Sequence, residues 1–374
     1  MSHRFSQGQL LVNRYEIGQF HLAGGMQEVY RCYDHTLQRN VALKTPKDGV
    51  VDRRFKRGAE MGARVNHPNI AATFDYFEDK GVGCLVEEFI EGEDLGGRLE
   101  REFFYLDPSL AAHVMHHIAK ALQAAHKVGI CHRDLKPSNI MTSADPNFGL
   151  IKLTDFGIAK LAEDEIAAEM ELFEKDSATL TSSNTLLGAV PYMAPECWSD
   201  WSGAGQPMDI WAFGCIAFHV LSGSTPFGTG RAAIANVIRA EQTKSVKLDK
   251  PAWFGKHPST SNLENGLWDI IQTCIQVDPK TRPNADVLVA VCDQLCYATS
   301  VRLRGLIEEY EVPYANGSKS KSGYIKDSNE NNRWFFHVSE FFGESKPVVG
   351  QSVSYSVYPG TPRSRCSPVL HLRV

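Results

Sequence analysis

The sequence predicts an α+β protein in which a strand-rich segment, a helical segment and a second strand-rich segment follow one another. Residues 15–90 contain one helix, Arg53–Val65, and short β-rich stretches at Tyr15–Phe20, Glu28–Tyr33 and Asn40–Thr45. From Asp107 to about residue 300, apolar residues recur every three or four positions, which is the period of a helix. Past Arg302 the period becomes two, and this change predicts a small all-β domain.

Length and composition place the chain among globular proteins. Of its 374 residues, 43% are hydrophobic and 22% are charged, which excludes wholesale disorder, and this length suits about two domains. No apolar run reaches the roughly 18 residues of a membrane helix, so no membrane partner is expected. Nine cysteines without a CxxC pair favour a reducing compartment. Because the N-terminal segment lacks the apolar core of a secretory signal, we expect a cytoplasmic protein.

Four short motifs carry the strongest chemical signal. The segment Val41–Lys44 reads VALK, His132–Asn139 reads HRDLKPSN, Asp155–Gly157 reads DFG and Ala194–Glu196 reads APE. Any one of these strings could arise by chance, but all four in this order indicate phosphoryl transfer.

Three of these motifs supply groups that phosphoryl transfer needs. The reaction requires a carboxylate near the acceptor hydroxyl and metal-binding groups near the phosphates. Asp134 suits the first role, and Asn139 and Asp155 can bind Mg²⁺. Lys136 can offset charge on the transferred group, and Lys44, on a strand, can reach the α- and β-phosphates of a bound nucleotide.

With these motifs, the segment from about residue 13 to 297 resembles the protein kinase superfamily, and within it the bacterial Ser/Thr kinases that share the eukaryotic fold. The resemblance implies a bilobal fold with an N-lobe at about 13–90 and a C-lobe at about 91–297. It also implies ATP and Mg²⁺ as cofactors and protein Ser/Thr hydroxyls as acceptors, because a lysine follows the catalytic aspartate by two residues.

The resemblance further assigns residues to the nucleotide site and to the frame of the C-lobe. Asp209 is expected to anchor the catalytic loop, and Glu196 is expected to pair with Arg282. The residues implied to bind ATP are Leu22, Gly24, Gly25, Val29, Ala42, Lys44 and Glu88.

The sequence departs from the family pattern at several positions. The glycine-rich loop has Leu22, Gly24 and Gln27 at its three glycine positions. The helix-C glutamate that should pair with Lys44 falls on Gly58, and Glu60 lies about 200° away from that position round the helix. Ala189 replaces a threonine, and Glu87 occupies the gatekeeper position. These departures suggest two predictions: either Lys44 lacks its usual fixed carboxylate and the enzyme is weakly active at rest, or the chain is an ATP-binding pseudokinase that scaffolds RNA or protein partners.

The segment between Asp155 and Glu196 is expected to be regulatory. Ile166, Met170 and Phe173 have the spacing of an amphipathic helix. A hydroxyl-rich run follows, and phosphate there could pair with Arg133. The expected phosphoacceptors are Thr181, Ser183 and Thr185. The alternative is a polar loop without a regulatory role.

Residues 302–374 resemble a cold-shock domain, a five-stranded OB-type barrel that binds single-stranded RNA or DNA by stacking bases on aromatic rings. The matching segments are Arg304–Ile307, Gly323–Ile325, Trp334–Ser339 and Gly350–Val353. The implied nucleic-acid-binding residues are Tyr310, Tyr324, Phe335 and His337. Ten Lys and Arg against seven Asp and Glu give this segment a charge of +3 within a chain of −5, which weakly favours a polyanionic partner. The alternative is a barrel that binds protein.

Overall fold

The chain folds into a strand-rich lobe, a helical lobe and a closed β-barrel. The structure is a computed structural model. It describes residues 3–23, 27–47, 53–156, 188–199, 203–313, 316–328 and 332–373.

The first lobe is a six-stranded antiparallel sheet. Its strands are β1 (Leu10–Leu11), β2 (Tyr15–Ala23), β3 (Gln27–Asp34), β4 (Arg39–Pro46), β5 (Thr73–Asp79) and β6 (Val82–Glu88), in the order β1-β2-β3-β4-β6-β5. The helix α1 (Arg53–Gly62) packs through Ala59 against Leu85 of β6. The expected strands and helix are therefore present, within a few residues of the predicted ends.

A short three-stranded sheet lies where the helical lobe begins. It contains β7 (Gly92–Asp94), β8 (Ile140–Ser143) and β9 (Ile151–Leu153), in the order β7-β8-β9. Ile70 forms a bridge with Leu153 of β9, which ties the two lobes together. This sheet places the segments before β8 and after β9 next to each other.

The second lobe is helical. Its helices are α2 (Leu95–Arg101), α3 (Pro108–Lys127), α4 (Glu196–Ser199), α5 (Gln206–Ser222), α6 (Gly230–Thr243), α7 (Ser261–Cys274) and α8 (Ala285–Asp293). Asp107 caps α3 by accepting hydrogen bonds from the N–H groups of Ser109 and Leu110, and Pro108 occupies the first turn. The helix α5 is buried on nearly all sides, as its continuous apolar run indicates.

The C-terminal segment forms a closed barrel. Its strands are β10 (Arg302–Tyr310), β11 (Ser322–Asp327), β12 (Arg333–His337), β13 (Phe341–Phe342), β14 (Ser352–Tyr358) and β15 (Arg365–His371). The sheet order is β12-β11-β10-β14-β15-β13, and a parallel pairing of β12 with β15 closes it. The prediction of a small all-β segment is confirmed.

The barrel shares apolar core with the helical lobe. Phe342, Leu370 and Leu372 belong to the same buried cluster as the helices. The Phe342 ring stacks on His257, with 3.8 Å between ring centroids, and His257 Nε2 lies 3.0 Å from the carbonyl oxygen of Phe341. The two parts therefore pack against each other as one body.

A buried ion pair crosses the same junction. Arg302 Nη2, at the start of β10, lies 2.7 Å from Oδ2 of Asp107, and the two side chains are 4% and 0% exposed. The first residue of the barrel therefore contacts the capping residue of α3. Within the described residues, the helices are all too short or too polar to cross a bilayer.

We expect Arg302→Met to lower the free energy of unfolding by about 3–5 kcal/mol, because it leaves the Asp107 carboxylate buried without its counterion. Urea unfolding of the full chain measures this loss.

Arg304→Met provides the matched control. Arg304 pairs with Glu102 across the same junction, but its side chain is 44% exposed, so its loss should change stability by only about 0–1 kcal/mol. Equal effects of the two substitutions would contradict a stabilising role for the Asp107 contact.

Candidate active site

The segment before β8 gathers the predicted catalytic residues. Lys136 Nζ lies 2.8 Å from Asp134 Oδ2. Asn139 Nδ2 donates to the carbonyl oxygen of Asp134 at 2.8 Å and to its Oδ2 at 3.0 Å. The Asp134 carboxylate is 26% exposed, so it is held in place and still open to an acceptor hydroxyl.

The carboxylate of Asp209, in α5, fixes the backbone of the segment that contains Asp134. Its carboxylate accepts hydrogen bonds from the N–H groups of His132 (2.8 Å) and Arg133 (2.9 Å) and from His126 Nε2 (2.8 Å). Burial favours the neutral acid, but these hydrogen bonds and the nearby histidines outweigh it and lower the pKa of Asp209. Arg133 has a φ of 68°, in the left-handed region, and the Asp209 bond to its N–H stabilises that conformation.

Asp155, just after β9, lies between two donors from the first lobe. Its Oδ1 accepts from Lys44 Nζ at 2.9 Å and from Gln27 Nε2 at 3.0 Å. Burial would raise the pKa of Asp155, but the charge of Lys44 and the two hydrogen bonds lower it to about 2. The carboxylate is therefore ionised at neutral pH, as a metal ligand must be.

Lys44 has a second carboxylate partner. Its Nζ lies 2.6 Å from Glu87 Oε2, and both side chains are almost fully buried. Burial would lower the pKa of Lys44, but the charges of Asp155 and Glu87 raise it above its usual range. Gly58 faces inward without a side chain and Glu60 is exposed. As predicted, Lys44 receives no carboxylate from position 58, but Glu87 supplies one from the neighbouring strand.

Several predicted nucleotide-site residues lie at paired or next-but-one positions of the first sheet. The register pairs Leu22 with Val29 and Val29 with Lys44. Ala42, two residues from Lys44, is buried on the same face.

The other predicted ATP-binding residues are Glu88, Gly24 and Gly25. The Glu88 carboxylate accepts from Lys152 Nζ at 2.6 Å and from the N–H of Ala72 at 3.2 Å, so any contact of Glu88 with adenine would come from its backbone. Gly24 and Gly25 lie outside the described residues.

The donor set fits a magnesium ion. Mg²⁺ prefers oxygen ligands and is usually held by one or two carboxylates together with substrate phosphates. Asp155 supplies an ionised carboxylate. Asn139 directs its NH₂ group at Asp134, which leaves its amide oxygen as the acceptor for a metal. Around Lys44, two carboxyl groups face one ammonium group, and burial together with the charge of Asp155 raises the pKa of Glu87.

The frame of the helical lobe contains the expected ion pair. Arg282 Nη1 and Nη2 donate to Glu196 Oε1 and Oε2 at 2.6 and 2.8 Å. Ala189 supplies no hydroxyl near Asp134. The expected amphipathic helix and the expected phosphoacceptors lie outside the described residues, namely Ile166, Met170 and Phe173, and Thr181, Ser183 and Thr185.

The barrel carries part of the expected aromatic surface. Tyr324 and Phe335 are cross-strand neighbours with ring centroids 5.9 Å apart. Arg333 lies over the Tyr324 ring at 4.0 Å, and Arg363 lies over Phe335 at 5.3 Å. His337 is on the same face, exposed, and its ring caps the turn at Val338–Glu340.

Tyr310 does not belong to this surface. The register aligns Tyr310 with Gly323 and Gly323 with Phe336, and the Tyr310 ring stacks on Phe336 in the barrel core. A bulge after Ile307 shifts the strand, so that Glu309 rather than Tyr310 lies beside Tyr324. The structure therefore places Tyr310 on the opposite face from Tyr324 and Phe335, contrary to what the resemblance implied, because a bulge shifts the strand by one residue.

Two residues of the site were noted in the sequence only as departures from the family pattern. Gln27 and Glu87 each replace an expected uncharged residue, and both contact the Lys44–Asp155 pair. The coincidence of a missing carboxylate at Gly58 with an unexpected one at Glu87 is the signal that could have linked them.

Comparison with known proteins extends these observations. Serine/threonine-protein kinase PrkC of Bacillus subtilis is 33% identical over 255 residues, covering 66% of this chain and 36% of its own length. Serine/threonine-protein kinase PknA of Mycobacterium tuberculosis is 31% identical over 300 residues, covering 76% of this chain and 62% of its own length. A probable serine/threonine-protein kinase of Clostridium perfringens is 30% identical over 280 residues, covering 74% of this chain and 37% of its own length.

The chain thus spans less than two thirds of the length of each of these relatives. The model of the protein kinase domain matches residues 15–291, well over half of the chain. Together with the lobes, the Asp134–Asn139 segment and the Lys44–Asp155 pair, this match shows that the chain belongs to the protein kinase family.

Proposed function

We propose that this protein is a serine/threonine protein kinase that transfers the γ-phosphoryl group of ATP to hydroxyl groups of protein substrates. The observation that carries the proposal is the position of the Lys44–Asp155 pair beside the cluster of Asp134, Lys136 and Asn139. The two groups are joined where the N–H of Thr154, next to Asp155, donates to the carbonyl oxygen of Asn139 at 3.0 Å. The relatives described above are named serine/threonine kinases, which supports the same acceptor class.

The chain's own residues have separable roles in this reaction. Asp134 accepts the proton of the attacking hydroxyl, and Lys136, 2.8 Å away, stabilises negative charge on the transferred group. Lys44 orients the α- and β-phosphates. Asn139 and Asp155 would hold Mg²⁺, which would supply positive charge to neutralise the phosphates. The oxygen of the acceptor forms the new bond to phosphorus as the bond to ADP breaks.

We assign residues 13–297 to the kinase domain and 302–374 to the C-terminal domain, and we place the protein in the cytoplasm. The nine cysteines are free thiols, which supports a reducing compartment. A pseudokinase is the second candidate, favoured by Gln27 and Gly58. The Lys44–Glu87 pair weakens it, because the carboxylate missing from position 58 is supplied elsewhere.

Asp134→Asn should lower the incorporation of labelled phosphate by about 100-fold or more, because the amide cannot accept the hydroxyl proton. The assay uses the full chain with ATP, Mg²⁺ and a generic protein substrate.

The exposed Asp249→Asn variant is the control and should retain wild-type activity. Equal incorporation by wild type and Asp134→Asn would refute the proposed catalytic role. An inactive wild type that still binds ATP would favour the pseudokinase.

Autophosphorylation should place phosphate between Ser177 and Thr185, with Thr181, Ser183 and Thr185 as the expected acceptors, because this hydroxyl cluster follows the DFG motif and Arg133 is available to pair with phosphate. Phosphopeptide mapping after incubation with ATP and Mg²⁺ measures it, with Asp134→Asn as the blank. Active protein with no phosphate in this window would contradict the assignment.

We also propose that the C-terminal domain is an OB-type barrel of the cold-shock kind that binds single-stranded nucleic acid. The pairing of β10 with β11 and β14, and the parallel closure of β12 on β15, support the OB-type topology. The Tyr324–Phe335 pair, with Arg333 and Arg363 over the rings, offers stacking and cationic contacts. Arg333 is also paired with Glu308 and Glu309, which limits its attraction for phosphate.

Phe335→Ala should weaken binding of a fluorescent oligonucleotide by the equivalent of about 1–3 kcal/mol, because one stacking ring is lost. Binding should also weaken with salt, with a shallow slope, since few phosphates are contacted. The full chain is the right sample because the barrel shares core with the helical lobe.

Lys346→Ala, an exposed charge removed from the rings, should leave this binding nearly unchanged. A wild-type chain that binds no mixed-sequence strand at low salt would favour a protein-binding barrel instead.

A further inference from the structure

The ammonium group of Lys44 pairs with the carboxylate of Glu87, which lies on strand β6 of the first sheet. We propose that Glu87 is the positioning residue that fixes Lys44 toward the phosphates of ATP, so that this pair forms without any contribution from α1. The inference rests on the proposed function, since it concerns the nucleotide site of the same kinase domain.

The helix α1 does not offer a carboxylate to Lys44 at the positions that the structure describes near it. Gly58 is buried and has no side chain, whereas Glu60 is exposed. These residues are two apart, which is about 200° round a helix. Bringing Glu60 to Lys44 would therefore require α1 to turn by about half a revolution and to break the Ala59–Leu85 contact.

The sheet register brings Glu87 to Lys44 instead. β4 and β6 are antiparallel neighbours, with Lys44 opposite Leu85 and Ala42 opposite Glu87. Since Leu85 and Glu87 are two residues apart, they lie on the same face as Lys44. The pair is thus diagonal across adjacent strands, and the backbone hydrogen bonds of the sheet fix its geometry. Lys44 and Glu87 are each 6% exposed, so solvent does not compete for them.

The second carboxylate matters because Asp155 has two tasks. Asp155 contacts Lys44 and Gln27, and it is also the expected carboxylate ligand of Mg²⁺. Glu87 gives Lys44 an anchor that does not compete with the metal. Without Glu87, Asp155 would be the remaining described partner of Lys44, and their ion pair would oppose metal binding.

The test compares wild type with Glu87→Gln in the full chain, measuring KM for ATP, kcat, and the Mg²⁺ concentration that gives half-maximal activity. We expect Glu87→Gln to raise both the KM and the Mg²⁺ requirement by about tenfold or more, with a smaller effect on kcat. Glu60→Gln, on the exposed side of α1, is the matched control and should alter neither by more than about twofold. Unchanged KM and Mg²⁺ requirement in Glu87→Gln would overturn the proposal.

Moving the carboxylate to the helix gives an independent test. Gly58→Glu in the Glu87→Gln background should recover part of the lost ATP affinity, which a merely structural role of Glu87 would not produce. Gly58→Glu alone should not raise activity, because Lys44 is already paired. If Glu87→Gln fails to fold, this single variant still decides the matter: a clear gain in activity would show that Lys44 lacked its partner and would overturn the proposal.

Nucleotide binding separates this inference from the proposed function. The rise in Tm on adding ATP and Mg²⁺ reports binding without phosphoryl transfer. A wild type that binds but does not transfer phosphate would refute the kinase activity, while a smaller rise in Glu87→Gln than in Glu60→Gln would still support the role of Glu87. Equal rises would overturn it.

Discussion

The active site depends on the two ion pairs of the Lys44 ammonium group, because together they join the two lobes. One of its carboxylates, Glu87, comes from the sheet of the first lobe, and the other, Asp155, follows the small sheet of the second. Burial makes each partner costly to lose, since an unpaired charge in this cleft would have no water to replace its counterion. In the helical lobe, the buried carboxylate of Asp209 has a comparable role, because it fixes the backbone around Arg133.

Much of the fold and the core of the site could be predicted from the sequence. The change from helical to alternating periodicity separates the barrel from the helices, and the HRDLKPSN and DFG strings contain the groups that meet in the cleft. Such strings are informative because the residues of each string are close in the chain and fold as one segment. Asp134, Lys136 and Asn139 contact one another for this reason.

The parts that could not be predicted involve pairings across strands. Glu87 reaches Lys44 only because of the register between β4 and β6, and no local pattern specifies that register. Tyr310 packs against the barrel core because a bulge shifts its strand by one residue, which reverses the face of each side chain after it. The alternation of polar and apolar residues in the sequence does not reveal such a one-residue shift at Glu309-Tyr310. Either of these two adjacent residues could lie on the outer face, since one is polar and the other is an aromatic residue with a hydroxyl group.

The shared core of the barrel and the helical lobe makes the chain less modular than its sequence boundaries suggest. A domain on a flexible linker samples many orientations, whereas Phe342 and Leu370 are buried among the helices and hold the barrel at one angle to the cleft. Removal of the barrel would also expose apolar surface on the helices, so the two parts should unfold in a single cooperative transition rather than one after the other.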